Sequence, residues 1–148
     1  MLIGEYIHTI DQKNRVSVPV KFRKELGRKV IITPGLDNCL FVFNMKGWEK
    51  VAKRLMSSEN DLSFLRADQR SFNRNMFGQA MDVEIDSIGR ILLPDVLKDK
   101  IKPKNSVAII GVEDRLEIWN DEVWKSYKEK ARNEAEALAE KLAGRKDE

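Results

Sequence analysis

Two short stretches carry the residues best suited to chemistry: IDQKNRVSVP, which begins at Ile10, and IDSIGRILLP, which begins at Ile85. In each, an Asp is followed four positions later by an Arg and the Arg four positions later by a Pro: Asp11, Arg15 and Pro19, then Asp86, Arg90 and Pro94. An Asp at the head of a tight turn folds its carboxylate onto nearby backbone amides and orients the residues after it. An Arg held that way presents a planar fork, which donates bidentately to phosphate or to O6 and N7 of guanine in a major groove. The plainer alternative is an ion pair stitching a hairpin. An exposed pair of that kind adds little stability, a weak reason to build the same pair twice.

Other chemistries find less support. The chain has one His, His8, and one Cys, Cys39, and neither stands at a metal-ligand spacing. Its eight glycines are scattered, so no phosphate-cradling loop appears. Ser17 and Ser106 lack the strand–turn–helix setting of a catalytic nucleophile. The acidic pairs fall on turns, where nothing raises a pKa for acid–base work. No enzyme, no cofactor, no metal and no small-molecule substrate is expected.

The elements that position the two motifs repeat as well. Asp11 and Asp86, Arg15 and Arg90, and Pro19 and Pro94 are 75 positions apart. Gly35 and Gly111, Leu40 and Leu116, Asn44 and Asn120, and Trp48 and Trp124 are 76 apart, so one inserted residue reconciles the two sets. The chain is a duplication. In the first copy EYIHTI is a strand, DQKN its turn and RVSVP the next strand, followed by a helix VKFRKEL that Pro19 opens and Gly27 closes. KVIIT and CLFVF are further strands around the turn PGLDN, and Asn44 caps a helix bearing Trp48, Val51, Ala52, Leu55 and Met56 on one face. The second copy reads DVEI, DSIG, RILL, a helix DVLKDK after Pro94, then SVAIIG and LEIW, with Asn120 as the next cap. Gly89 takes the positive-φ position that Asn14 fills in the first turn. Between the copies, Leu62, Leu65, Phe72 and Met76 suggest an amphipathic helix, with Arg66, Arg70 and Arg74 on its other faces. From Asp121 a tail helix carries a thin stripe of Trp124, Tyr127, Ala131, Leu138 and Leu142 and frays at GRKDE.

The expected divisions are a first unit over 5–52, a connecting helical segment over 53–80, a second unit over 81–124 and a helical tail over 125–148. Each unit alone would bury little core, so two that complete each other are expected to pack as one body. With 148 residues, 42% hydrophobic and 34% charged, the composition is that of a globular α+β chain. No apolar run nears the ~18 residues that span a bilayer, and the opening residues lack the pattern of a secretory signal. A lone Cys in the apolar run CLFVF fits a buried small hydrophobe in a reducing cytoplasm. The net charge is only +3. It is unevenly spread: Met1 to Lys29 holds seven basic residues against three acidic ones, around the first motif. That permits a polyanionic partner.

The stretches IDQKNRVSVPVKFR and IDSIGRILLPDVLK resemble the two Asp-x-x-x-Arg signatures of the MraZ family, and RSFNRNMFGQAMDVEID resembles the link between its halves. The resemblance runs from about Gly4 to Tyr127 and marks each copy as an AbrB-type half-unit. It implies that swapped hairpins of the two pseudo-symmetric half-units interleave into one small β-barrel, with helices between and after them. It implies a cytoplasmic, nucleoid-associated transcription regulator that assembles into homo-oligomeric rings. Its partner would be double-stranded DNA with direct, G-containing repeats upstream of the division and cell-wall operon, including its own promoter. Arg15 and Arg90 would be the principal DNA contacts, Lys13 and Asn14 supporting ones, with Asp11, Asp86 and Gly89 structuring the loops. The usual family loop, Asp-x-Lys-Gly-Arg, is altered twice. Asn14 replaces Gly in the first loop and Ile88 replaces Lys in the second, which lowers the charge of the second and leaves Ile88 for a thymine methyl or a neighbouring subunit. Two other readings remain at this level. One is an AbrB-like antitoxin-type regulator, which usually has one half-unit per chain. The other is a ring-forming structural or adaptor protein that binds proteins through its helices.

Overall fold

Apolar runs bounded by turn residues become strands, and helices start after Pro19, Asn44, Pro94 and Asn120. The computed structural model describes residues 1–56 and 63–145. In chain order the elements are β1 (Leu2–Thr9), β2 (Arg15–Ser17), α1 (Val20–Leu26), β3 (Lys29–Pro34), β4 (Leu40–Asn44) and α2 (Met45–Met56). A 3-10 turn (Ser63–Leu65) leads to α3 (Ala67–Met76), then β5 (Met81–Glu84), β6 (Arg90–Leu92), α4 (Asp95–Ile101), β7 (Ser106–Glu113), β8 (Leu116–Asn120) and α5 (Asp121–Gly144). The α+β class and the turn chemistry follow the sequence closely. Asn14 sits at φ 62° and Gly89 at φ 86°. The Asn44 carboxamide oxygen accepts from Gly47 N (2.7 Å), and that of Asn120 accepts from Glu122 N (2.9 Å) and Val123 N (3.2 Å).

The strands are exchanged between the copies. Six of them form an antiparallel sheet in the order β1-β7-β8-β4-β3-β5, and β2 pairs with β6 in a second, two-stranded ladder. Thus β1 of the first unit lies on β7 of the second, and β5 of the second lies on β3 of the first. A pseudo-twofold axis between β4 and β8 relates the two ends. Among the described residues β1 and β5 remain the edges of the large sheet, and no pairing between them closes the ladder.

One face of the large sheet packs against α1, α4 and the β2–β6 ladder. The core there is contributed equally by both units: Val16 and Ile91, Val18 and Leu93, Phe22 and Leu97, and Leu26 and Ile101 are all buried. Each of these pairs is 75 positions apart, so a single apolar volume is filled from both copies. On the other face Phe41, Phe43, Ile110 and Trp119 are covered by Trp48, Val51 and Leu55 of α2, Phe72 of α3 and Trp124 of α5. Cys39 is fully buried in this layer, and burial pushes its thiol up to about 12, as suits an inert small hydrophobe.

Three expectations change. β1 begins at Leu2 rather than Glu5, because Leu2 is buried in the shared core and pairs with Glu113. The connecting helix starts at Ala67; Leu65 lies before it, 63% exposed, and Leu62 lies outside the described residues. The α5 stripe is used only at its start. Trp124 and Tyr127 pack on Trp119 with ring centroids at 5.3 and 5.0 Å, whereas Leu138 and Leu142 face solvent. Among the described residues no helix is long and apolar enough to cross a membrane.

The exchange of β1 needs one close approach. A Cβ at Gly111 would stand 2.7 Å from Ile3 N and from the Leu2 carbonyl carbon. Gly111→Ala is therefore expected to cost about 1–3 kcal/mol by overpacking against backbone that has little room to yield. In urea denaturation its midpoint should fall, whereas Gly144→Ala, which meets nothing within 4 Å, should leave the midpoint level or slightly raised. Equal midpoints for Gly111→Ala and wild type would refute the tight β1–β7 contact.

Candidate nucleic-acid interface

Each Asp-x-x-x-Arg stretch forms a loop closed by its own carboxylate. Asp11 Oδ1 accepts from the amides of Lys13 and Arg15 (both 2.9 Å), and Oδ2 accepts from Arg15 Nε (2.8 Å). Asp86 repeats the arrangement: Oδ1 accepts from the amides of Ile88 (3.1 Å) and Arg90 (2.8 Å), and Oδ2 from Arg90 Nε (2.9 Å). The backbone closes each loop a second time, through Asp11 N to Arg15 O (3.0 Å) and Asp86 N to Arg90 O (2.9 Å). The Arg15 amide above all, then its guanidinium and the Lys13 amide, hold the Asp11 carboxyl below the usual carboxylate range. Asp86 is lowered in the same way by the Arg90 amide, the Arg90 guanidinium and the Ile88 amide.

Only Nε of each Arg is used. Among the described residues the Nη groups of Arg15 and Arg90 make no hydrogen bond, so two anchored guanidinium forks are left open. The β2–β6 ladder carries them on one face. Arg15 stands opposite Leu92, Val16 opposite Ile91 and Ser17 opposite Arg90. Val16 and Ile91 point into the core, so strand alternation turns Arg15, Ser17, Arg90 and Leu92 outward together. Arg15 and Arg90 are diagonal neighbours on this face, roughly 7–8 Å apart by ladder geometry.

The two loops differ at their tips. Asn14 does not project freely: its Nδ2 donates to Asp95 Oδ1 (2.8 Å) and its Oδ1 accepts from Lys98 Nζ (2.6 Å), which ties the first loop to α4. At the second tip, a Cβ on Gly89 would fall on the Arg23 guanidinium, and Arg23 Nε donates to Val18 O (2.9 Å). Arg23 and Lys98 are themselves 75 positions apart, so each unit sends one basic side chain from its helix to the other unit's loop. Lys13 and Ile88, the remaining tip residues, are exposed. Arg23 and Lys98 were not among the expected site residues. Their shared offset in the repeat was the available signal. Among the described residues no cluster of His, Cys, Asp and Glu suits a metal ion.

The ordering of the forks depends on ionised Asp11 and Asp86. Because their pKa values are lowered by the fold, the stabilisation is present above the ordinary carboxylate range and is lost as pH falls through the lowered values. Asp11→Asn retains an oxygen for the two amides but loses the acceptor for Arg15 Nε. In ¹⁵N relaxation the Arg15 Nε–H should become mobile in that variant while the Arg15 amide stays ordered. An equally rigid Nε in wild type and variant would sink the anchoring role.

Comparison with known proteins adds an independent line. The family model described as "MraZ protein, putative antitoxin-like" matches twice in tandem, over residues 1–75 and 76–146. The chain is 46% identical over 142 residues to the Transcriptional regulator MraZ of Moorella thermoacetica, covering 96% of each chain. It is 43% identical to that of Caldanaerobacter subterraneus and 44% to that of Thermoanaerobacter sp., again over 142 residues and 96% of each chain.

Proposed function

The chain belongs to the MraZ family, and on that premise we propose that it is a sequence-specific DNA-binding transcription regulator whose reading head is the pair of loops on the β2–β6 face. One observation carries the reading: two Arg forks, each anchored at Nε by its own Asp and open at Nη, share one outward face. A guanidinium fixed in this way loses little freedom on binding, so more of its bidentate hydrogen-bond energy appears as affinity. Arg15 and Arg90 are the principal contacts, with Lys13 adding charge at the first loop. Asn14 acts by holding the first loop on α4. At the second loop, where Ile88 stands in place of a Lys, Arg23 supplies the missing cation.

The two units, 5–52 and 81–124, act as one pseudo-symmetric barrel-like body, a reading supported by the exchange of β1 and β5 around a shared core. The segment over 53–80 and the tail over 125–148 serve as connector and accessory helices. A single face with a few basic residues binds polyanions modestly and with strong salt dependence. Self-assembly into a ring would set several such faces against several direct repeats and raise avidity by ~10²–10⁴. Those repeats would lie upstream of the division and cell-wall operon and of the chain's own gene, in a cytoplasmic, nucleoid-associated setting, a reading supported by the family resemblance.

Fluorescence anisotropy with the DNA upstream of the chain's own gene tests the reading. Arg15→Ala and Arg90→Ala should each weaken binding by about 1–3 kcal/mol if the fork reads a guanine. If a fork meets phosphate instead, the slope of log K against log salt should shrink by about 0.9 for that contact. An array of correctly spaced repeats should bind far more tightly than one isolated repeat. Equal affinity for spaced and scrambled repeats would reduce the face to a general polyanion patch, and no binding to any duplex would favour an adaptor that binds proteins.

A further inference from the structure

The outward face of the β2–β6 ladder is polar except at one position. Arg15, Ser17 and Arg90 occupy three of its four outward places, and Leu92, 53% exposed, occupies the fourth. An isolated exposed leucine needs no explanation. The position of this one does. Val18 N donates to Gly89 O and Leu93 N to Asn14 O, both at 2.8 Å. Antiparallel alternation then makes Arg15/Leu92 a non-hydrogen-bonded pair, the kind whose side chains stand closest. Leu92 therefore starts beside the base of the Arg15 side chain, whose guanidinium leans toward Asp11 along the other edge of β2. The pseudo-equivalent place beside Arg90 is taken by Ser17.

Resting on the DNA-binding reading above, we propose that Leu92 is a specificity residue that packs on the 5-methyl group of a thymine next to the guanine read by Arg15. The thymine methyl is the apolar group that base edges display in the major groove. Side chains opposite each other on such a ladder have Cβ atoms about 4.5–5.5 Å apart. Successive base pairs rise ~3.4 Å, so with Arg15 leaning to Asp11 and Leu92 on the opposite edge of β2 the two side chains are spaced for neighbouring base pairs rather than the same one. Ser17, with a hydroxyl that both donates and accepts, makes no such demand beside Arg90. The two halves of the face thus read different things despite their pseudo-symmetry. A chain with such a face binds an element in one orientation only, which suits repeats that run in the same direction and disfavours inverted ones.

The test is a double cycle between side chain and base. A duplex recovered by the full wild-type chain from a randomised pool is resynthesised with each thymine in turn replaced by deoxyuridine, which removes only the methyl group. For wild type, one replacement beside a guanine should weaken binding about four-fold, the worth of one buried methyl-sized group. Leu92→Ser, which places at 92 the residue already present at 17, should bind the thymine and uracil duplexes alike while keeping the wild-type salt slope. The inference is overturned if no thymine replacement matters to wild type, or if every such effect survives in Leu92→Ser. Failure of wild type to recover any duplex overturns the DNA-binding reading and this inference with it. Loss of binding in Arg15→Ala alongside neutral uracil substitutions overturns only the inference.

Discussion

The three-residue ladder between β2 and β6 is the constraint on which the rest depends. Strands this short cannot stand in water by themselves. They persist because Val16 and Ile91, at the centre of the ladder, are buried in the core shared by both units. Folding one half therefore requires the other. The same register that buries these two side chains turns both arginines outward, so the stability of the body and the geometry of the candidate interface are set by one choice of pairing.

Exposed arginines are ordinarily mobile, and their rotamer freedom opposes binding. Here the carboxylate four residues upstream removes that freedom using Nε alone, and the open side of the guanidinium remains available. The ion pairs are too exposed to matter much for stability. Their value lies in orientation. The tips are secured by a different device: α1 sends Arg23 to the second loop and α4 sends Lys98 to the first, each across the boundary between units. Glycine at the second tip leaves room for the bulkier Arg23. Asn14 at the first tip instead offers a carboxamide that bridges Lys98 and Asp95. The Asn/Gly difference between the two tips thus goes with the Lys/Arg difference between the helix side chains that reach them.

Much of this was legible in the residues themselves. The constant offset of Asp, Arg and Pro marked the duplication, and Asn14, Gly89, Asn44 and Asn120 sat where turn and cap chemistry requires them. Those features are local: a positive φ or an N-cap depends on a few neighbouring residues, and the side chains that satisfy it are few. The buried place of Cys39 was readable from the apolar run around it. The length of β1 was not, since Gly4 and Glu5 interrupt the apolar pattern and only pairing with β7 makes Leu2 part of the core.

By itself, then, the sequence determined two equivalent units, their turns, their caps and the carboxylate that fixes each Arg. The tertiary structure decided which strand lies beside which. In a duplicated chain that choice is hidden, because alternation marks the buried face of a strand but not its neighbour, and both copies carry the same pattern. Pairing within a unit and exchange between units look alike until the shared apolar volume has to be filled. Exchange fills it from both sides. That choice alone brings Leu92 beside Arg15, Lys98 onto Asn14 and Arg23 over Gly89, contacts between residues that lie more than sixty positions apart in the chain.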